Sequence, residues 1–108
     1  MVLIMVTSWY PPDKGTEVGK KYIEVMQKFT PDPSIGKTLV RAAGRAVKDG
    51  IEVISINEVE KGKYEEALNR ITRMMVEFQG IEGYRYEITT LMTAEEVFPL
   101  IGLKMPAM

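Results

Sequence analysis

Two arginines four residues apart, Arg41 and Arg45, are the most chemically pointed pair in this chain. A guanidinium stays charged when partly buried and offers donors in a fixed fork, so the pair suits a carboxylate or phenolate ligand. Trp9 and Tyr10 stand side by side ahead of Pro11-Pro12, where an indole at a strand end can roof a ligand by stacking. Arg85 and Glu87 alternate with Tyr84, Tyr86 and Ile88, which places the two charges on one strand face and the large side chains on the other. Glu58 and Glu87 are the candidate proton acceptors, on the condition that burial raises a carboxylate. Each residue also has a plainer reading: Arg41 opposite Glu58 as a cross-strand ion pair, Arg45 on a solvated edge, Trp9 in the core or an interface, Arg85 and Glu87 in pairing.

The missing residue types narrow the chemistry further. The chain has no His and no Cys. That excludes Ser-His and Cys-His catalysis, thiolate nucleophiles, disulfides and the usual zinc and haem ligand sets. Gly36-Lys37-Thr38 has the ending of a phosphate loop, but Pro31 stands where that loop needs Gly, so the motif fails. The eight methionines read as adaptable core filling; Met105 and Met108 alone are too few for a metal site. No metal and no resident cofactor are expected. A net charge of −1 gives no electrostatic footprint for nucleic acid.

These residues need elements to hold them. At 108 residues the chain is read as one domain, able to bury roughly 65% of its unfolded surface. Val2 to Tyr10 is apolar on both alternating sets and predicts a strand buried on both faces, stopped by Pro11-Pro12. Its apolar start lacks a positive leader and is too short to span a bilayer, so neither a signal peptide nor membrane association is expected, and a cytoplasmic location is. Val18, Tyr22, Val25, Met26 and Phe29 predict a helix from about Glu17 to Phe29, capped by Asp13 or Thr16. Gly36 to Lys48 fits a helix stripe as well as a strand. Gly44 within it, and the Asp49-Gly50 turn leading into Ile51 to Val59, favour a strand and a hairpin. Tyr64, Ala67, Leu68, Ile71, Met74, Met75 and Phe78 predict a second helix, with Glu66 and Arg70 as a four-apart ion pair. Tyr84 to Met92 completes the strands, and Thr93 with Glu96 marks the start of a short last helix limited by Pro99.

The order is β-α-β, turn, β-α-β. Right-handed crossovers then place both long helices on one face of a four-stranded antiparallel sheet. The other face keeps Ile54, Ile56 and Leu91, more aliphatic surface than a monomer leaves in water. A second copy, sheet face to sheet face and sealed by the apolar tail after Pro99, is the expected cover, giving a homodimer or a larger even assembly. A two-residue turn at Asp49-Gly50 would set Arg45 opposite Ile54 and Arg41 opposite Glu58, both arginines pointing away from the helices, with Ala42, Gly44 and Ala46 toward them.

In element order and length, from about Val2 to Ile101, the chain resembles the ferredoxin-like dimeric α+β barrel superfamily. Pro31-Asp32-Pro33-Ser34-Ile35-Gly36-Lys37, Lys48-Asp49-Gly50-Ile51 and Ile81-Glu82-Gly83-Tyr84 are similar to small prokaryotic members. The resemblance implies two four-stranded sheets paired as a barrel-like dimer. It also implies three readings: a small-molecule-binding protein for an aromatic or carboxylate ligand, a cofactor-independent monooxygenase or isomerase acting on an aromatic or carbonyl compound, or an oligomerisation module without ligand. The haem-degrading branch, which uses an axial His, has no counterpart here. No catalytic role carries over to individual residues.

Overall fold

The computed structural model describes residues 1–106. It contains β1 (Leu3–Tyr10), α1 (Gly15–Lys28), β2 (Gly36–Val47), β3 (Gly50–Val59), α2 (Tyr64–Val76), β4 (Arg85–Leu91) and α3 (Ala94–Leu100). The sheet is antiparallel throughout and ordered β2-β3-β1-β4. This is the ferredoxin-like α+β arrangement the element order predicts, and Gly36–Val47 is a strand. No helix among the described residues is long and apolar enough to cross a membrane.

β1 explains the layering. Its alternate residues Ile4, Val6 and Ser8 are buried, whereas Leu3, Met5, Thr7 and Trp9 are half-buried. The first set joins Val25 of α1, Ala67, Ile71 and Met75 of α2, and Val59, Phe78 and Ile81 in one core. Full burial of an aliphatic side chain there contributes about 1.5–3 kcal/mol. The second set faces away from the helices. Cross-strand partners share a face, so that open face reads as four rows: Lys37, Glu58, Leu3, Leu91; Val40, Ile56, Met5, Thr89; Ala43, Ile54, Thr7, Glu87; and Arg45, Glu52, Trp9, Arg85. Its middle is apolar and its two ends are charged.

The hairpin departs from the expected register. Val47 pairs with Gly50, so Lys48 and Asp49 form the turn and Gly50 already belongs to β3. The reason is steric. Gly50 has φ 150° and is buried against β1, where a Cβ would collide with the Tyr10 carbonyl oxygen. The glycine is thus needed by the neighbouring strand and not by the turn. Arg45 consequently lies opposite Glu52 instead of Ile54. Register shifts between Thr38 and Val40 and between Val40 and Ala43 then break the pairing of β2, and Lys37, not Arg41, lies opposite Glu58.

Helix ends differ as well. The chain enters α1 through a 3-10 turn, Pro12–Lys14, closed by Lys14 N–H to Pro11 O at 3.0 Å, and no side chain caps the helix. Asp13 is used up inside that turn and Thr16 already lies in the helix. Arg70 does not pair with Glu66, which takes Lys63 at 3.4 Å. Arg70 instead donates to the Thr30 carbonyl just past α1 and lies over the Phe29 ring at 5.8 Å. An unpaired carbonyl beyond a helix end and an aromatic face together attract a guanidinium more than an exposed carboxylate one turn away. α3 begins as expected: Glu96 N–H donates to Thr93 Oγ1 at 3.3 Å and Thr93 N–H to Glu96 Oε1 at 3.1 Å. Leu100, Ile101 and Leu103 of the tail stay more than half exposed within the single chain. Ala107 and Met108 lie outside the described residues.

Candidate functional site

The helix-facing side of the sheet is not filled with large aliphatics everywhere. β3 presents Val53, Ser55, Asn57 and Val59 there, β1 presents Ser8, and α1 brings Gly15 and Gly19 to the same space. Neither glycine has any atom within 4 Å of where a Cβ would sit. Small residues on both walls leave the space between helix and sheet unfilled, a hollow of about 400 Å³. A well-packed interior leaves few voids larger than a water molecule, so this hollow is a feature of the residue choice.

Its lining is mostly apolar, with Val18, Tyr22, Met26, Phe29, Ile35 and Met74 around the polar groups named above. Tyr10 and Tyr84 stack at 6.2 Å and Tyr84 and Phe78 at 5.0 Å, closing one end with three rings. Burial raises the Tyr84 phenol above its ordinary value, against the pull of the neighbouring Ser8 hydroxyl. It therefore stays neutral and can donate. Toward the other end, Thr38 Oγ1 donates to Asn57 Oδ1 at 3.0 Å. Arg41 lines this hollow. The break in pairing between Val40 and Ala43 puts Arg41 and Ala42 across from Ser55, a helix-side position. The expectation that Arg41 points away from the helices is corrected by that irregularity, because one extra residue in a strand reverses the side-chain alternation beyond it.

Arg45 remains on the open face, as the alternation predicts, but in a different partnership. Glu52 accepts from Arg45 Nε at 3.0 Å through Oε1 and from Trp9 Nε1 at 2.9 Å through Oε2. The indole N–H and then the guanidinium hold the Glu52 carboxyl below its ordinary value. Trp9, Arg85 and Glu87 lie with Glu52 along a more open cleft of about 660 Å³ at the end of the sheet, and Tyr10 borders both spaces. Glu58 is far from this group, in the row of Leu3 and Leu91, with Lys37 at 4.0 Å. Within the single chain Glu58 is half-buried and Glu87 is exposed.

The structure thus divides the sequence candidates. Tyr10 and Arg41 belong to the hollow, whose rim also takes in Glu58 beside Lys37; Trp9, Arg45, Arg85 and Glu87 belong to the charged end of the open face. Sequence reasoning missed Glu52, Ser8, Ser55, Asn57 and the Gly15, Gly19 pair. A signal for the hollow was present: Ser55 and Asn57 interrupt a set that otherwise reads Val53 and Val59, and the two glycines recur four apart, hence on one helix face. No group of three or more acidic side chains among the described residues is placed to hold a metal ion.

No family model matches the chain, and no curated protein matches it. Among solved structures, a de novo designed protein, Foldit4, is similar over 85% of this chain and 97% of its own, at a TM-score of 0.54 and 18% identity. At that identity the likeness concerns the fold alone.

Proposed function

We propose that this chain is a small-molecule-binding protein of the ferredoxin-like dimeric α+β barrel type, with its ligand in the hollow between α1, α2 and the sheet. The observation that carries this reading is the hollow itself. About 400 Å³ of mostly apolar space with a few convergent polar groups falls within the range of sites for small ligands. Leaving such a space costs packing free energy that a Leu or Val at Ser55 or Gly19 would recover. A binding role is favoured over an oxygenase or isomerase because the acidic residues along the hollow are engaged elsewhere. Asp32 accepts from Ser34 N–H at 3.0 Å and Ser34 Oγ at 2.6 Å, and Glu58 faces Lys37.

A thermal-shift screen over phenolic, quinone and carboxylate compounds tests this reading. At least one class should raise the melting temperature of the native chain and fail to do so in Gly19→Leu, whose side chain enters the hollow. A screen in which nothing shifts the native chain, or in which the shift survives Gly19→Leu, overturns it.

The same reading takes the open sheet face as the contact with a second copy. Met5, Val40, Ile54 and Ile56 form an apolar centre, continued into one end row by Leu3 and Leu91, and such a patch is typical of an interface between subunits. The charged rows at its two ends, basic and acidic in each, suit an antiparallel pairing of copies in which unlike charges meet.

A further inference from the structure

We infer that the hollow selects amphipathic monoanions: an aromatic or branched aliphatic body carrying one carboxylate, the carboxylate held at Arg41. This rests on the reading of the hollow as a ligand site and adds the chemistry of what enters it. Among the described residues Arg45 is paired with Glu52, Lys37 with Glu58, and Arg70 with the Thr30 carbonyl, whereas Arg41 has no ion pair and no hydrogen bond. It is therefore the uncompensated cation of the hollow. The groups nearest it in the sheet are donors. Ser55 occupies the row opposite Arg41 and Ala42, and the next helix-facing residue, Asn57, has its carbonyl oxygen engaged by Thr38, which leaves its NH2 free to donate. The two carboxylates that also line the hollow are engaged by other groups, Asp32 by Ser34 and Glu58 by Lys37, so the unpaired donors are left to recognise an anion, and a guanidinium does so with two parallel hydrogen bonds. The body of the ligand has an apolar destination at the opposite end, against the stacked Tyr10, Tyr84 and Phe78 rings, where aromatic carbon packs best.

The test compares naphthoate with its neutral counterpart naphthylmethanol by calorimetric titration near neutral pH and at low salt. Naphthoate should bind about tenfold more tightly, the scale of one charge-assisted contact. Arg41→Gln should remove that advantage while leaving naphthylmethanol binding unchanged, and Arg73→Gln, a substitution on the exposed side of α2, should keep the advantage. Gly19→Leu, or Ser55→Leu from the sheet side, should abolish binding of both compounds. Equal affinity for the two compounds, lost together in the filled variants, overturns the anion preference and leaves the hollow a ligand site. An advantage that Arg73→Gln removes as well reflects overall charge and also overturns it. Binding of neither compound overturns the preference, and overturns the proposed function as well when the thermal-shift screen is also empty.

Discussion

Trp9 and Glu52 are joined by a 2.9 Å hydrogen bond from the indole N–H to a carboxylate that also holds Arg45 at 3.0 Å. The two residues are direct partners in the β1–β3 register, so the bond reports whether that register is kept. Trp9 is the only Trp in the chain, which makes its emission a clean probe. The Glu52 carboxyl is held below its ordinary value of 4.5. A lowered folded-state value means that the carboxylate contributes to stability above the unfolded value and loses that contribution as pH falls through the folded one. Trp9 emission should therefore be constant above 4.5 and change in a single step at lower pH. The step should vanish in Glu52→Gln; a step that persists would assign it to another group.

Gly50→Ala should be strongly destabilising. The position combines φ 150° with a Cβ direction that runs into the Tyr10 carbonyl oxygen. A strained backbone of this kind costs about 1–3 kcal/mol before any clash is counted. Urea unfolding should show a loss of at least about 2 kcal/mol, with the slope unchanged. Asp49→Ala, in the turn itself, should stay within about 0.5 kcal/mol of the native chain.

Gly19→Ala should be stabilising. Gly19 lies inside α1, is exposed, and has open space where the methyl group would go. Replacing an interior helical glycine gains roughly 0.5–1 kcal/mol when nothing obstructs the new Cβ. Urea unfolding checks the gain. A loss of stability would mean that α1 sits closer to the sheet in solution than the hollow requires.

Ile56→Glu should separate the proposed subunits. Ile56 lies between Val40 and Met5 at the centre of the open face and is only half-buried within the chain. Sedimentation should give the native chain twice the 12.2 kDa of one copy and the variant a single copy, with far-UV dichroism unchanged. A native chain that sediments at 12.2 kDa at micromolar concentration would remove the sheet-to-sheet dimer.

Thr93→Ala should loosen the C-terminal segment without touching the core. Thr93 and Glu96 close a reciprocal pair of hydrogen bonds at the start of α3, none of whose residues is buried. Losing such a cap costs about 1 kcal/mol of local stability. Amide exchange should speed up in Ala94–Leu100 and remain unchanged in β1 and α2.

Local rules carried far along this chain because its elements are punctuated. Pro11-Pro12 ends β1, Pro31 and Pro33 separate α1 from β2, and the helix spacing of Ala67, Ile71 and Met75 reappears as the buried face of α2. Thr93 and Glu96 form the cap their spacing predicts. Side-chain partners were less legible. Glu66 and Arg70 sit at the right spacing to pair, yet Arg70 turns to Thr30 and Phe29, groups remote in sequence that the packing of α1 against α2 brings within reach.

The sequence by itself determined the order of elements, the single-sided placement of the two long helices and the face on which Arg45 lies, since these follow from periodicity and from the handedness of crossovers. Tertiary structure decided where the Asp49-Gly50 pair is used and where Arg41 points. A turn dipeptide is read one strand at a time, but Gly50 answers to the backbone of β1 packed beside it, and that contact exists only in the assembled sheet. The pairing breaks in β2 likewise arise between two strands, and they carry Arg41 from the open face to the hollow. Alternation gives a side chain its face only while the ladder stays regular, and regularity is a property of the pair of strands, not of either one.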